Sequence, residues 1–387
     1  MPASVKQREF ADLDFYNYDW FLNYNGDWAM TSMYRYQLPV EDTEWNVNSQ
    51  NDVSFVWEYD DGNDDLLKLY EKGKQQQWDA RERIDWALDL DPENPMEMPD
   101  EMIRIYGSPI WDRMNKKERA NLRRHGQAWQ ISQFLHGEQG ALMVSARIVE
   151  TVPDINAKFY AATQVIDEAR HVEAYSRLLH DKFQLAYPIT PPLASLLEDV
   201  LHDKRWDINY LGMQVLIEGL ALAAFHGLRD MSKNQLAASI NAYVMQDEAR
   251  HVAFGRIALR DYYQELSSYE ITEREEFLIE GCWHMRDRFT SDELWDVVGL
   301  PAKECIEWLE TSESTRLFRT RLFSRIVPIV RDIGMWSENV QVAFGKMGLL
   351  EFCDPNLDVD KLLDADEKMA EEFDAKTHIT QISRSAE

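Results

Sequence analysis

Cysteine and positive charge are both scarce in this sequence of 387 residues. Its three cysteines, Cys282, Cys305 and Cys353, are too few and too scattered for a disulfide framework or a thiolate metal site. The 41 lysines and arginines face 69 aspartates and glutamates, which gives a formal charge of −28. Because phosphate groups are bound by clustered lysine and arginine, this balance argues against nucleic-acid binding and against an anionic membrane surface.

The sequence also lacks a recognisable signal peptide, since its first ten residues, MPASVKQREF, contain no apolar stretch. The most apolar run, residues 211–228, is interrupted by Glu218 and His226, which predicts a buried helix and not a membrane span. Hydrophobic residues nevertheless make up 45% of the chain, which excludes a disordered protein. We therefore expect a folded cytoplasmic protein with no membrane span.

Composition divides the chain into four segments. Residues 1–115 are acidic and rich in tryptophan, and their Asn-Gly, Asp-Gly and proline interruptions predict an irregular extension that wraps the core. Residues 116–267 show apolar residues at helical spacing and predict a four-helix bundle. Residues 268–350 predict additional helices packed on the bundle. Residues 351–387 predict an acidic, loosely held tail with a short helix near 358–374.

Proline-free stretches in the bundle segment predict long helices, because bundle helices pack lengthwise against each other. We expect one helix in each of four stretches: 116–152, 154–187, 193–231 and 232–267. Shorter helices are expected at 268–290, 302–310 and 313–334. The role of the tryptophan-rich extension stays open between surface packing, a dimer contact and the shaping of a substrate site.

The bundle segment contains an internal repeat. Each copy has a glutamate, 28 further residues and then Asp-Glu-Ala-Arg-His, and the two copies are offset by 80 residues. The last glutamate and the histidine of each copy lie three residues apart, so they share one helix face. A turn midway between the two glutamates of a copy would bring them level in an antiparallel hairpin. Two such hairpins place six residues at one depth of the core: Glu138, Glu168, His171, Glu218, Glu248 and His251.

Four carboxylates buried together would cost much free energy unless cations compensate them. Carboxylates with one imidazole for each metal suit iron or manganese better than zinc, so we expect two iron ions, with an iron–manganese pair as the other option. A metal-bound histidine usually donates its other N–H to a carboxylate. The repeat predicts a crossed arrangement in which Asp167 supports His251 and Asp247 supports His171. Two arginines, Arg170 and Arg250, are expected to neutralise these aspartates.

This doubled motif resembles the ferritin-like di-iron carboxylate proteins. They include the monooxygenase hydroxylases, the acyl-carrier-protein desaturases, the aerobic ring cyclase of chlorophyll synthesis and the small subunit of ribonucleotide reductase. The resemblance covers about residues 116–267 and is greatest to the oxygenases. It implies an all-α, ferritin-like four-helix bundle with a dinuclear site, extended by additional helices and the irregular N-terminal segment.

The resemblance also implies a reaction. We expect an O2-dependent oxygenase that hydroxylates or otherwise oxidises a small, mostly apolar organic substrate. The sequence shows no flavin, haem or iron–sulfur motif, so the electrons should come from a separate reductase or ferredoxin. A homodimer is implied at the family level. The choice between hydroxylation, N-oxygenation and desaturation stays open.

Other members of the superfamily supply alternative functions. Tyr175, four residues after His171, has the offset of the radical-carrying tyrosine in the reductase small subunit. An acyl desaturase is a second alternative, although Ala221 and Leu222 stand where desaturases and hydroxylases usually carry a threonine. Iron storage or ferroxidase activity is less favoured, because a ferritin needs far fewer residues. A metal-free scaffold is least favoured, because such subunits lack the ligands that this chain has.

Residues one turn away from the ligands are expected to form the substrate pocket. These positions hold Leu135, Leu142, Gln164, Gln214, Ala221, Leu222 and Val244, with Phe134 and Phe225 as second choices.

Overall fold

The computed structural model describes residues 53–56, 59, 62–287 and 291–385. Within these ranges every regular element is a helix, which confirms the all-α prediction. Of the predicted wrapping segment 1–115, residues 1–52, 57, 58, 60 and 61 lie outside the described residues, and with them four of its tryptophans, Trp20, Trp28, Trp45 and Trp57.

The α-helices, long and short, are numbered here in chain order. They are α1 (Asp64–Gln75), α2 (Ala80–Arg83), α3 (Pro109–Arg113), α4 (Lys116–Thr151), α5 (Ile155–Arg177), α6 (Pro191–His202), α7 (Trp206–Tyr210), α8 (Glu218–Met231), α9 (Gln235–Tyr262), α10 (Ser268–Asp287), α11 (Asp292–Val297), α12 (Ala302–Thr311), α13 (Glu313–Leu322), α14 (Ile326–Asp332), α15 (Glu338–Met347) and α16 (Val359–Ser385).

Four of these helices form the bundle that the repeat predicts. Helix α4 packs against α5, and α8 packs against α9, each pair being joined by a short turn. Each second helix begins at a side-chain cap: Asp154 Oδ1 accepts a hydrogen bond from the N–H of Ala157 (2.8 Å), and Asn234 Oδ1 accepts one from the N–H of Leu236 (3.1 Å). The turns therefore lie at the midpoints expected from the glutamate spacing.

Two of the predicted helices, one long and one shorter, are interrupted. The stretch 193–231 is not one helix, because it breaks at residues 203–205 between α6 and α7. At the break, Asp203 Oδ1 accepts a hydrogen bond from the N–H of Arg205 (2.9 Å), and Asn209 Nδ2 donates to the carbonyl of Val200 (2.7 Å). These side chains satisfy backbone groups that a continuous helix would pair internally. The stretch 313–334 likewise divides into α13 and α14.

The chain from α7 to α8 runs without interruption through a π-helical segment, Leu211–Ile217. This combined helix, Trp206–Met231, is long and apolar enough to cross a membrane, yet 72% of its most apolar window is buried among the other helices. It also contains the buried Glu218. Both observations support the prediction of a core helix.

The C-terminal tail differs from its prediction. Helix α16 is 27 residues long and packs along α9, so the expected short and loosely held helix was wrong. Asp366 accepts hydrogen bonds from Nε and Nη2 of Arg325 (2.6 and 2.7 Å), and Asp374 accepts one from the hydroxyl of Tyr243 (2.5 Å). Several acidic residues of the tail therefore face partners on the bundle, which composition alone does not reveal.

Candidate metal centre

The six residues of the repeat meet in the core of the bundle, one or two from each of α4, α5, α8 and α9. Each of them is at most 6% exposed. His171 Nδ1 lies 3.1 Å from Glu138 Oε2, and His251 Nδ1 lies 3.1 Å from Glu168 Oε1. The structure thus brings together every residue that the spacing placed at this depth.

The six side chains form two groups that share Glu168. In each group the ligand atoms lie within 4.8 Å of one another. Glu248 Oε1 also lies between the two imidazoles, 3.3 Å from His171 Nδ1 and 3.5 Å from His251 Nδ1. The geometry therefore fits two adjacent cations, with Glu168 and Glu248 between them. The first group consists of Glu138, Glu168, His171 and Glu248. The second group consists of Glu168, Glu218 and His251.

Unpaired polar atoms show that this cluster fits a metal centre. Glu168 Oε2, Glu218 Oε2, both carboxylate oxygens of Glu248 and His251 Nδ1 are buried and have no hydrogen-bond partner. A buried acceptor without a partner costs about 1–3 kcal/mol, and more when it is charged. Two divalent cations would satisfy these atoms together, and the oxygen-rich donor set suits iron or manganese.

The electrostatics of the cluster point the same way. Burial, and then the charge of Glu248, raises the pKa of both Glu138 and Glu218 well above its ordinary value. Burial alone would lower the pKa of His171, but Glu138 and Asp247 raise it well above its ordinary value. Without a cation these surroundings favour the protonated forms of Glu138, Glu218 and His171, and a bound cation would favour release of the protons.

The far nitrogens of the histidines face the two aspartates in a crossed arrangement. His171 Nε2 lies 3.1 Å from Asp247 Oδ2, and His251 Nε2 lies 3.3 Å from Asp167 Oδ2. Arg170 contacts both aspartates, at 3.0 Å from Asp247 Oδ2 and in a closer pair with Asp167. With Nε2 engaged in this way, Nδ1 of each ring is the atom that faces the cluster.

Gln76, Gln77 and Trp78, which directly follow α1, also contact the aspartates and arginines around the histidines. The sequence did not predict a role for them. Trp78 Nε1 donates a hydrogen bond to Asp247 Oδ2 (2.8 Å), and Gln77 Nε2 donates to Asp167 Oδ1 (2.7 Å). Gln76 Oε1 accepts a hydrogen bond from Arg250 Nη1 (2.7 Å). Their position in the sequence bears no fixed spacing to the repeat, so only the packing of α1 on α5 and α9 reveals their role.

Two glutamines predicted to line the pocket form a hydrogen-bonded chain that ends at the carboxylates. Gln164 Nε2 donates hydrogen bonds to Glu168 Oε1 (2.9 Å) and Glu218 Oε1 (2.8 Å). Gln214 Nε2 donates to Gln164 Oε1 (3.3 Å). Gln164 thus orients the two carboxylates and Gln214 supports Gln164, and neither glutamine is among the residues that line the cavity.

A narrow cavity reaches the cluster between α4 and α8. Its inner end is formed by Glu138, Glu218 and Glu248. Ala221 lines it as predicted, and so do the two second choices, Phe134 and Phe225. The remaining wall comes from Gln133, Gly137, Ala141, Leu193, Ile217 and Leu220.

Four other predicted pocket residues do not line this cavity. Each residue of a helix is rotated about 100° from the one before it. Phe134 and Ala141 therefore lie about 40–60° to one side of Glu138. Leu135 and Leu142 lie at similar angles on its other side. Ala221 and Leu222 flank Glu218 in the same way. Residues one turn away from a ligand lie on both sides of it, whereas the cavity lies on one side only. Leu135, Leu142 and Leu222 lie on the other side of the ligands for this reason, and Val244 on α9 is also outside the lining of this cavity.

Tyr175 is fully buried one turn after His171. Its hydroxyl donates a hydrogen bond to Asn241 Oδ1 (3.1 Å). Its ring lies behind the cavity wall, with the ring centroids of Phe134 and Phe225 each 6.0 Å away.

Solved structures similar to this chain include two forms of an R2-like ligand-binding oxidase. A point mutant with anaerobically reconstituted Mn/Fe cofactor shares 18% identity, over 72% of this chain and 95% of that chain, with a TM-score of 0.43. The form with aerobically reconstituted metal cofactor after photoconversion shares 16% identity, over 81% of this chain and 94% of that chain, with a TM-score of 0.40. No curated protein matches the sequence.

Residues 60–334 match the family described as P-aminobenzoate N-oxygenase AurF. The match spans more than half of the chain and includes the whole repeat together with Gln77 and Trp78. It confirms the predicted membership of the ferritin-like di-iron superfamily and an O2-dependent oxidoreductase with a dinuclear metal site. The chain belongs to the p-aminobenzoate N-oxygenase family AurF.

Proposed function

We propose that this protein is an N-oxygenase that transfers one oxygen atom from O2 to the nitrogen of a small aromatic amine. The observation that carries the proposal is the cavity between α4 and α8, whose aromatic and aliphatic wall ends at Glu138, Glu218 and Glu248. We propose that the amine of the substrate approaches the carboxylates from the side of this cavity. Nitrogen is proposed as the oxidised atom because the family is described as an N-oxygenase.

The geometry supports a specific set of ligand roles. We propose that Glu138, Glu168, His171 and Glu248 would hold one metal ion, and that Glu168, Glu218 and His251 would hold the other. When bound, the two ions supply the site at which O2 is activated. Gln164 holds the carboxylates of Glu168 and Glu218 in place. Asp167 and Asp247, each next to an arginine, fix the orientation of the two histidine rings.

The proposed reaction requires electrons from outside the chain. The amine, O2, two electrons and two protons yield a hydroxylamine and one water: an N–O bond forms, the O–O bond breaks, and the second oxygen atom leaves as water. We propose a separate reductase or ferredoxin as the electron donor. We further propose that the protein acts in the cytoplasm, where its cysteines would stay reduced, and that it forms a homodimer.

Product analysis with labelled oxygen tests this proposal. Protein loaded with Fe(II), reduced chemically and exposed to ¹⁸O2 is expected to convert aniline or a simple ring-substituted aniline to a hydroxylamine that carries one ¹⁸O, as measured by mass spectrometry. Protein loaded with Zn(II), which has no redox chemistry, is the control and should yield none. Label on a ring carbon, or no oxidised product from any arylamine, would contradict the proposed reaction.

Tyr175 allows the radical alternative to be tested separately. Oxidation of a phenol to a neutral radical releases its proton, but the hydroxyl of Tyr175 donates to the amide oxygen of Asn241, which is a poor base. Burial, and then the charge of Glu138, raises its pKa well above the ordinary value. We expect no tyrosyl radical signal by electron paramagnetic resonance after exposure to O2, and Tyr175→Phe should keep most of the wild-type turnover. A radical signal that disappears in Tyr175→Phe would favour the reductase-like function.

A further inference from the structure

We infer that a second copy of this chain packs against the outer face of α4 and α5, about a twofold axis that makes the two α5 helices antiparallel. The outer face consists of the exposed and half-buried positions of 139–149 on α4 and 159–172 on α5. This interface would belong to the proposed homodimer, so the inference rests on that part of the proposed function and not on the proposed reaction.

The outer face is apolar although the chain as a whole is acidic. The exposed fraction is 57% for Ile166, 42% for Met143 and 38% for Phe159. On α5, the positions from 159 to 172 that are not buried hold Phe159, Ala162, Val165, Ile166, Ala169 and Val172. On α4, the corresponding residues are Gln139, Leu142, Met143, Ala146 and Val149, together with Arg147. A contiguous apolar surface across two packed helices is typical of an interaction site.

Charged groups lie around this face and turn away from it. The guanidinium of Arg147 donates a hydrogen bond to the carbonyl of Leu201 on α6. At one end of the face, Lys158 Nζ donates to the carbonyl of Val149 (2.8 Å). At the other end, Glu173 pairs with Arg81 (3.3 Å), so the face has the apolar core and polar rim of a protein interface.

The net charge favours this face as the contact between two copies. Each copy carries a formal charge of −28, so two copies repel each other over most of their surface. Close approach costs least where neither copy presents a charge, because no carboxylate then has to lose its hydration. The outer face meets that condition.

The order of large and small residues on α5 also fits a second copy. They recur at intervals of three, four and three residues, the spacing of a helix–helix seam: Phe159, Ala162, Ile166 and Ala169. A twofold axis level with Gln164 would set position 159 opposite position 169 of the second copy. It would likewise set position 162 opposite position 166. Each large side chain then meets an alanine, which lets the two helices approach closely.

Helix α4 shares the centre of this arrangement. Glu138 and Glu168 are level in the hairpin and belong to the same group of ligand atoms. Since the two helices are antiparallel, Gln164 is level with position 142 of α4. The axis would therefore pass beside Met143 and bring it close to Met143 of the second copy. Both helices are thus related to the second copy by one axis.

Charge substitutions on the outer face test the interface. Ile166→Glu would bury a carboxylate against Ala162 of the second copy, and Met143→Glu would set two carboxylates close together across the axis. Sedimentation velocity at micromolar concentration is expected to show the mass of two chains for the wild type and of one chain for either variant. We expect the dissociation constant of the dimer to rise by at least about 100-fold. Both side chains are exposed, so circular dichroism should stay unchanged.

An aliphatic residue elsewhere provides the control. Val342 on α15 is 50% exposed and lies outside the outer face, so Val342→Glu should stay dimeric. A dimer that persists in both Ile166→Glu and Met143→Glu would overturn the inference while the proposed homodimer stands. A monomeric wild type would overturn both and leave the outer face to another occupant, such as residues 1–52. Either result leaves the N-oxygenase reaction to be decided by its own product analysis.

Cysteine cross-linking tests the antiparallel arrangement. Phe159→Cys and Ala169→Cys, coexpressed and oxidised, are expected to give a covalent dimer on a non-reducing gel, because these positions face each other across the seam. Each variant alone should give the wild-type pattern, because ten residues place its two copies of the cysteine roughly 15 Å apart along the helices. A disulfide requires Cα atoms within about 7 Å. Cross-linking of either variant alone, and none in the mixture, would contradict the antiparallel arrangement and overturn the inference.

Discussion

Glu168→Ala is expected to abolish metal retention and oxygenase activity while the helical fold persists. Glu168 belongs to both groups of ligand atoms, so its loss removes a donor from each metal ion. The fold should survive because the change deletes one of four carboxylates that crowd the core, and no helix depends on it for capping. We expect bound metal to fall from two ions to less than one after desalting, and turnover to fall by at least about 100-fold. Elemental analysis, circular dichroism and product formation measure the three effects.

A neighbouring glutamate provides the control. Glu173 lies on the same helix, is partly exposed and pairs with Arg81 at 3.3 Å, so Glu173→Ala should keep both metal ions and full turnover. His251→Ala should behave like Glu168→Ala, since it removes a donor from one ion and leaves Asp167 without its imidazole partner. Two tightly bound metal ions in either Glu168→Ala or His251→Ala would overturn the ligand assignment.

The depth at which the ligands meet could be predicted from the sequence because it depends on a few fixed geometric quantities. The rise of a helix and the 30-residue separation from Glu138 to Glu168 decide which residues become level in a hairpin. The second copy, from Glu218 to Glu248, repeats that separation and supplies the opposite hairpin. The crossed positions of the aspartates follow from the same pseudo-twofold relation, because each Asp lies next to a ligand on its helix.

The other features of the site depend on contacts between segments whose separation along the chain follows no repeating pattern. Trp78 reaches Asp247 because α1 packs on α5 and α9, and a distance of 169 residues along the chain gives no hint of it. The side of Glu138 on which the cavity lies is set by how α4 and α8 are rotated about their axes, and the apolar pattern leaves that rotation open. Helix α16 looks like a polar tail by composition, because two of its acidic side chains find their partners in arginines of distant segments, Arg250 on α9 and Arg325 before α14.

These contacts also give the acidity of the chain a structural meaning. Around the metal ligands lies a second layer in which two aspartates, Asp167 and Asp247, face two arginines, Arg170 and Arg250. Outside it, Glu367 of α16 approaches Arg250 Nη1 at 3.4 Å. From the centre outward, the negative aspartates are thus followed by the positive arginines and then by the negative Glu367. Among the described residues four arginines are buried, and two of them, Arg170 and Arg250, face the aspartates of this layer.

Arg250→Met is therefore expected to lower the free energy of unfolding by about 3–5 kcal/mol, the usual cost of removing one partner from a buried ion pair. Arg250 is 1% exposed and contacts Asp247, Glu367 and Gln76. Burial alone would raise the pKa of Asp247, but Arg250 and His171 hold it well below its ordinary value. The stabilisation is consequently present at neutral pH and is lost as the pH falls through that lowered value.

Denaturant unfolding of the metal-free protein at pH 7 measures this loss without a contribution from bound metal. Arg260→Met is the matched control on the same helix: Arg260 is partly exposed and lies 3.4 Å from its neighbour Asp261, so the change should stay below about 1 kcal/mol. Methionine fills much of the volume of the arginine stem, so a large difference between the two variants reports charge and not a cavity. A loss below about 1 kcal/mol in Arg250→Met would mean that Arg170 and Trp78 suffice to compensate Asp247, and that α16 is held by its other contacts.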